Sequence, residues 1–191
     1  TKSLYKLKPK LNAFLENYDV CVVYPLIRNK WITYMDVKDV KSGSFDFETF
    51  KEGKIRKSPL KCNIYDVFEE LYGIKDYLTS KNIKVHIFDM DILQINSTKP
   101  IKNGRRKPYS RLNKIPLGIN DIYTIDRYED WLQFLPLELG EEFTSKDFSA
   151  CCNISSYQSS LSLRVMNDIG VVERVGKKGR CYLYNINESL R

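Results

Sequence analysis

The chain has 191 residues, 42% hydrophobic and 13% aromatic, which is enough apolar material for a core and excludes a disordered chain. Its 31 Lys or Arg against 24 Asp or Glu leave a formal charge of +7, a balance that points to an anionic partner, most often nucleic acid. No run reaches the length of a transmembrane helix, the N-terminus lacks the apolar core of a signal peptide, and five cysteines without a Cys-x-x-Cys pair, beside a single His86, argue against a disulfide framework or a structural zinc site and for reduced thiols in a cytoplasmic protein.

The length suits one large domain or two small ones. Leu7 to Tyr18 places Leu7, Leu11, Phe14, Leu15 and Tyr18 on one helical face, with Pro9 tolerated in the first turn. Asp19 to Ile27 is almost continuously apolar and β-forming, as in a strand buried on both faces. Arg28-Asn29-Lys30 reads as a tight turn into a second strand, Trp31 to Val37. Phe45 to Phe50 alternates like a third strand with one wet face, and a basic loop from Lys51 to Lys61 follows. Asn63 caps a helix carrying Val67, Phe68, Leu71, Ile74, Tyr77 and Leu78, which Gly73 bends or ends. Ile83 to Ile95 is a further strand. Between Asn96 and Asn120 stand seven Lys or Arg (among them Arg105, Arg106 and Lys107), no acid, three prolines and two glycines, the composition of a basic linker with a strong positive field.

Within the first half, Asp36-Val37-Lys38 follows the apolar run Ile32–Met35, and Asp19 heads the preceding strand. With the order helix, strand, strand, strand, helix, strand, these residues resemble the core of the PD-(D/E)xK nuclease superfamily, to which many restriction endonucleases belong. The resemblance implies that Asp19 and Asp36 hold a divalent metal such as Mg2+, that the metal activates water, and that Lys38 positions or deprotonates it. A different register pairs Asp36 with Asp46 or Glu48 and uses Lys51 as the basic residue. The sequence departs from the family pattern in both: no proline precedes Asp19, and two residues separate Glu48 from Lys51. Lys38-Asp39-Val40-Lys41 repeats the spacing at once, as a solvated strand end would. Asp89 and Asp91 share one side of a strand and could hold magnesium or line the wet face of an edge strand. His86 has no nucleophile partner in the sequence and reads as a strand residue, and no Walker or Rossmann glycine motif is present.

Asp121 to Leu135 reads as a helix with Tyr128, Trp131, Leu132 and Leu135 inward. Ser145 can cap a short helix running to about Cys152, Asn153 breaks it, and Ser155 or Ser156 can cap a second. The second helix aligns Leu161 or Ser162, Val165, Met166 and Ile169, and Gly170 ends it. Val171–Val175 and Arg180–Ile186 are strands joined by Gly176-Lys177-Lys178-Gly179, a hairpin with two lysines at its tip. Helix, turn, helix and basic hairpin resemble the winged helix-turn-helix family, most specifically in Met166-x-x-Ile169-Gly170-Val171-Val172 and the aromatic strand Tyr182-Leu183-Tyr184. The resemblance implies duplex DNA as partner. Ser155, Ser156, Tyr157, Gln158, Ser159 and Arg164 would face the major groove, Gln158 would read an adenine edge, and Lys177, Lys178 and Arg180 would set the wing on the backbone. Arg105, Arg106 and Lys107 would extend the footprint with phosphate contacts.

The expectation is an α+β protein of a bacterial kind, with an α/β domain over residues 1–97, a basic linker over 98–119 and a winged helix over 120–191. Its function would be DNA binding, with the first domain serving sensing, assembly or DNA processing. Two other classes stand beside it, a metal-dependent restriction or defence endonuclease and a winged-helix protein-interaction adaptor. A homodimer fits the family, although no heptad or dimerisation helix is visible.

Overall fold

A computed structural model describes residues 3–36, 55–99 and 109–190. The strand expected at 45–50 lies outside them. The fold is α+β. Helix α1 spans Lys8–Phe14 after a 3-10 turn at Leu4–Leu7, with Pro9 in its first turn, and α2 spans Val67–Tyr72. The long strands are β1 (Val20–Met35), β3 (Ile83–Ser97) and β4 (Arg111–Ile125), and a two-residue strand β2 (Arg56–Lys57) pairs antiparallel with β1. These make a four-stranded sheet in the order β2-β1-β3-β4. The C-terminal elements are β5 (Glu142–Thr144), α3 (Ser145–Cys152), α4 (Ser156–Asp168), β6 (Val172–Lys178) and β7 (Cys181–Ile186), whose strands form a second sheet ordered β5-β7-β6.

Three expected elements are corrected. No turn forms at Arg28-Asn29-Lys30, because β1 runs through it without a break. The polar side chains that suggested a turn have partners beside the strand: Arg28 pairs with Asp89, and Asn29 donates to Asp91. The basic linker and the helix expected at 121–135 are also revised, since residues 111–125 form β4. Ile115, Leu117 and Ile119 alternate with Lys114, Pro116, Gly118 and Asn120, a strand pattern masked by its proline and glycine. An edge strand tolerates both, and β4 lies at the edge of its sheet. Only the end of the expected helix is helical, as a 3-10 turn at Tyr128–Phe134.

The chain gathers into two units made of interleaved segments rather than consecutive domains: 1–24, 63–87 and 123–191 in the first, 25–62 and 88–122 in the second. The first unit is built on aromatic packing. Phe68 and Phe148 are fully buried, Trp131, Phe134 and Phe143 nearly so, and the Phe68 ring lies 5.4 Å from Phe134 and 6.3 Å from Trp131. Tyr65 meets Phe148 edge-on at 5.5 Å and donates to the Phe134 carbonyl. In the second unit Leu93 and Ile95 are buried with Trp31, Met35, Leu112 and Ile115 against them.

Candidate nucleic-acid interface

The site expected from sequence centres on α4, and local chemistry fixes where that helix starts. Asn153 ends α3 in the left-handed region at φ 50°, and Ser155 takes the extended conformation that begins α4. The Ser155 hydroxyl accepts from the Gln158 N–H, while the Gln158 side-chain carbonyl accepts from the Ser155 N–H at 3.0 Å. Ser162, Val165, Met166 and Ile169 are buried, the inward stripe that the helical spacing predicts.

That same packing sets which of the residues expected to face a groove are exposed. Ser156 and Arg164 are exposed, and Tyr157 is 64% exposed. Gln158 is not poised to read adenine. Its carbonyl serves the cap, and its amide donates to Asp66 Oδ1 at 2.6 Å. Ser159 is fully buried and donates to the Ser145 carbonyl. The helical period takes both off the outer face and brings on Ser160, which the sequence pattern alone did not single out. Gln158→Ala is therefore expected to cost about 1 kcal/mol of stability, through the lost side-chain partner of the Ser155 N–H and of Asp66 Oδ1. Urea melts would measure this.

Besides α3, the helix packed against α4 is α2, contributed by a segment far upstream. Asn63 and Asp66 form a capping box before α2. The Arg164 guanidinium lies over the Tyr72 ring at 5.0 Å, and Lys75, over the same ring at 5.1 Å, pairs with Asp168. Gly170 closes α4 at φ 87°, and a Cβ there would come within 2.9 Å of the Tyr128 hydroxyl. Burial pushes both the Tyr65 hydroxyl and the Cys152 thiol up, so this hydrogen-bonded pair beside α3 is protonated near neutrality and offers no thiolate.

The hairpin turns at Gly179-Arg180, with Gly179 at φ 64°, three residues beyond the expected start of the turn. A bulge between Arg174 and Gly176 changes the strand parity. Arg174 consequently shares a face with Lys177: its guanidinium lies 4.3 Å from the Tyr182 ring centre, and Lys177 lies 5.2 Å from it. Strict alternation hid Arg174, although Tyr182 and Tyr184 two residues apart were the visible signal. Lys177, Lys178 and Arg180 are all exposed. Lys178 also acts on Asp147, whose carboxyl sits below its usual value of 3.8 chiefly because the Thr144 N–H and hydroxyl both donate to it. A depressed carboxyl stabilises the fold above its unfolded value and loses that contribution as pH falls through the folded one. Asp147→Asn should therefore lower the melting temperature at pH 7, and the gap from wild type should shrink at about pH 3.

The residues proposed for metal chemistry fall only partly among the described ones. Asp19 precedes β1 and Asp36 follows it, so one uninterrupted 16-residue strand separates the two carboxylates that a turn was to bring together. Lys38, and Asp46, Glu48 and Lys51 of the second register, lie outside the described residues, as do Arg105, Arg106 and Lys107. Among the described residues no group of three or more His, Cys, Asp or Glu is placed to hold a metal ion. β3 is an interior strand, which corrects the edge-strand reading of Asp89 and Asp91. Asp89 is fully buried and paired with Arg28, and Asp91 accepts from the Asn29 N–H, the Asn29 amide and the Asn120 amide at 2.8–3.1 Å. His86 contacts Asp126 at 2.8 Å.

Charge is divided unevenly between the units. Residues 25–62 and 88–122 hold 16 Lys or Arg and 8 Asp or Glu, a formal +8, which leaves 15 against 16, or −1, for the first unit. Within the first unit, residues 123–191 hold 8 basic and 10 acidic side chains, or −2. The positive balance of the whole chain is thus no property of residues 123–191, five of whose eight cations lie on α4 and the hairpin.

No described helix is long and apolar enough to cross a membrane. A protein of Treponema pallidum (strain Nichols), described as an uncharacterized protein, is 26% identical over 200 residues, which cover 96% of this chain and 68% of the relative. No solved structure matches the chain. A family model described as a domain of unknown function, DUF8091, matches residues 1–126, through the end of β4. The match covers well over half of the sequence, and the chain belongs to the DUF8091 family.

Proposed function

We propose that this protein binds duplex DNA through its C-terminal module. The observation that supports the reading is the joint arrangement of β5, α3, α4 and the β6–β7 hairpin. A sheet ordered β5-β7-β6 backs a helix with an exposed polar face and ends in a cationic hairpin tip, which resembles a winged helix-turn-helix. In this reading Ser156, Tyr157, Ser160 and Arg164 of α4 enter the major groove, and Lys177, Lys178 and Arg180 rest on the phosphate backbone. With the Gln158 amide held by the cap and by Asp66, hydroxyl groups and one arginine remain at the base edges. Discrimination among sequences is then weak and phosphate contacts dominate.

The test is a mixed pool of labelled duplexes incubated with the full chain, with and without magnesium or manganese, and read on native and denaturing gels. The expected result is a salt-sensitive shift with intact strands. No shift at about 50 mM salt, where phosphate contacts are strongest, would overturn the reading and favour a protein partner for the module. Strand cleavage that requires metal would turn it toward a metal-dependent endonuclease.

A further inference from the structure

The +8 unit has no role in the duplex reading, yet it holds the positive balance of the chain. Its described surface places cations against aromatic rings on both faces of the β2–β1 edge. Strand pairing sets Lys57 opposite Trp31 and Arg56 opposite Ile32, and successive side chains alternate, so the two cations point to opposite faces. On one face Lys57 lies 5.4 Å from the Trp31 ring centre. On the other the Arg56 guanidinium lies 5.8 Å from the centre of Tyr34 and donates to its hydroxyl at 3.2 Å. Tyr34 is 38% exposed, and Tyr109 meets it edge-on at 5.7 Å and 86°, which fixes the ring. Exposed Lys61 and Arg111 belong to the same unit.

We infer that the unit of residues 25–62 and 88–122 carries a binding surface for single-stranded nucleic acid, in which Tyr34 and Tyr109 stack bases and Arg56 holds the adjoining phosphate. A strong cationic field draws any polyanion, but a partner that also exposes flat apolar faces to stack on an upright tyrosine is an unpaired strand, because duplex bases are already stacked. Sequence preference is low, since every base offers a stacking face.

The test uses the full chain and a fluorescent 15-nucleotide oligothymidylate, read by anisotropy across a salt series, with a labelled duplex in parallel. Tyr34→Ala with Tyr109→Ala is expected to weaken oligothymidylate binding about 10- to 100-fold and to leave duplex affinity within about threefold. Tyr34→Phe with Tyr109→Phe keeps the rings and retains most of the binding, and Arg56→Ala lowers the salt slope by about 0.7. The inference is overturned if the wild-type chain ignores oligothymidylate at low salt, if the double alanine variant binds it as wild type does, or if the phenylalanine pair loses as much as the alanine pair. Should the alanine pair unfold in a thermal melt, the phenylalanine pair and Arg56→Ala decide the matter. Lys177→Ala with Lys178→Ala separates the two readings, because it weakens duplex binding and spares oligothymidylate.

Discussion

Replacing Phe68 with alanine is expected to remove about 3–5 kcal/mol of stability, the usual cost of emptying an aromatic site that cannot collapse. Phe68 is fully buried, with Tyr65, Trp131 and Phe134 rings centred 6.2, 6.3 and 5.4 Å away. Those three rings come from separate stretches, the capping turn before α2 and the 3-10 turn at Tyr128–Phe134, so the cavity cannot close without moving one of them. A domain of this size has roughly 5–15 kcal/mol in total, so the loss moves a urea midpoint far and leaves a visible unfolded fraction in the upper part of the range. Trp131 in the same cluster reports the transition by fluorescence, and Phe68→Leu, which keeps most of the volume, should lose well under half as much. A loss below about 1 kcal/mol for the alanine variant would mean that Phe68 is not enclosed as described.

The parts of the fold written in local chemistry were legible in the sequence. Asn63, Asn153, Ser155 and Gly170 mark helix ends through side-chain hydrogen bonds or positive φ, and each acts at the helix boundary where the sequence puts it. The misreadings share a different cause. Arg28-Asn29-Lys30 and the run through Pro116 and Gly118 carry turn-like residues whose role depends on partners far along the chain. Asp89 and Asp91 hold the first segment in a strand, and an edge position accommodates the second. The site shows the same division. The exposure of Tyr157 and Arg164 followed from helical period, but the loss of Gln158 to Asp66 needed a hydrogen bond to a residue 92 positions away in sequence, and Arg174 surfaced only through a bulge. Nor could a net charge summed over the sequence say which unit carried it, since each unit is stitched from separate segments.

Removing the three cations of the hairpin tip together, as Lys177→Ala, Lys178→Ala and Arg180→Ala, is expected to lower the salt slope of duplex binding by about 2.7, at roughly 0.9 for each phosphate no longer neutralised. Over a fourfold rise in salt, from about 50 to 200 mM, the affinity gap between wild type and variant should then close by about 40-fold. Fold and stability should change little, because all three side chains are exposed. Arg174→Ala is the control: it removes a cation that stacks on Tyr182 and Tyr184 from the same hairpin, and a smaller slope change is expected from it. Titrations of one labelled duplex at four salt concentrations measure all of this. The residual slope carries equal weight. Any slope left in the triple variant comes from cations outside the hairpin tip, among them Arg164, Arg174 and those of the unit with +8. An unchanged slope in the triple variant would take the hairpin off the DNA, whereas a slope that fell to zero would leave the +8 unit without a share in duplex binding.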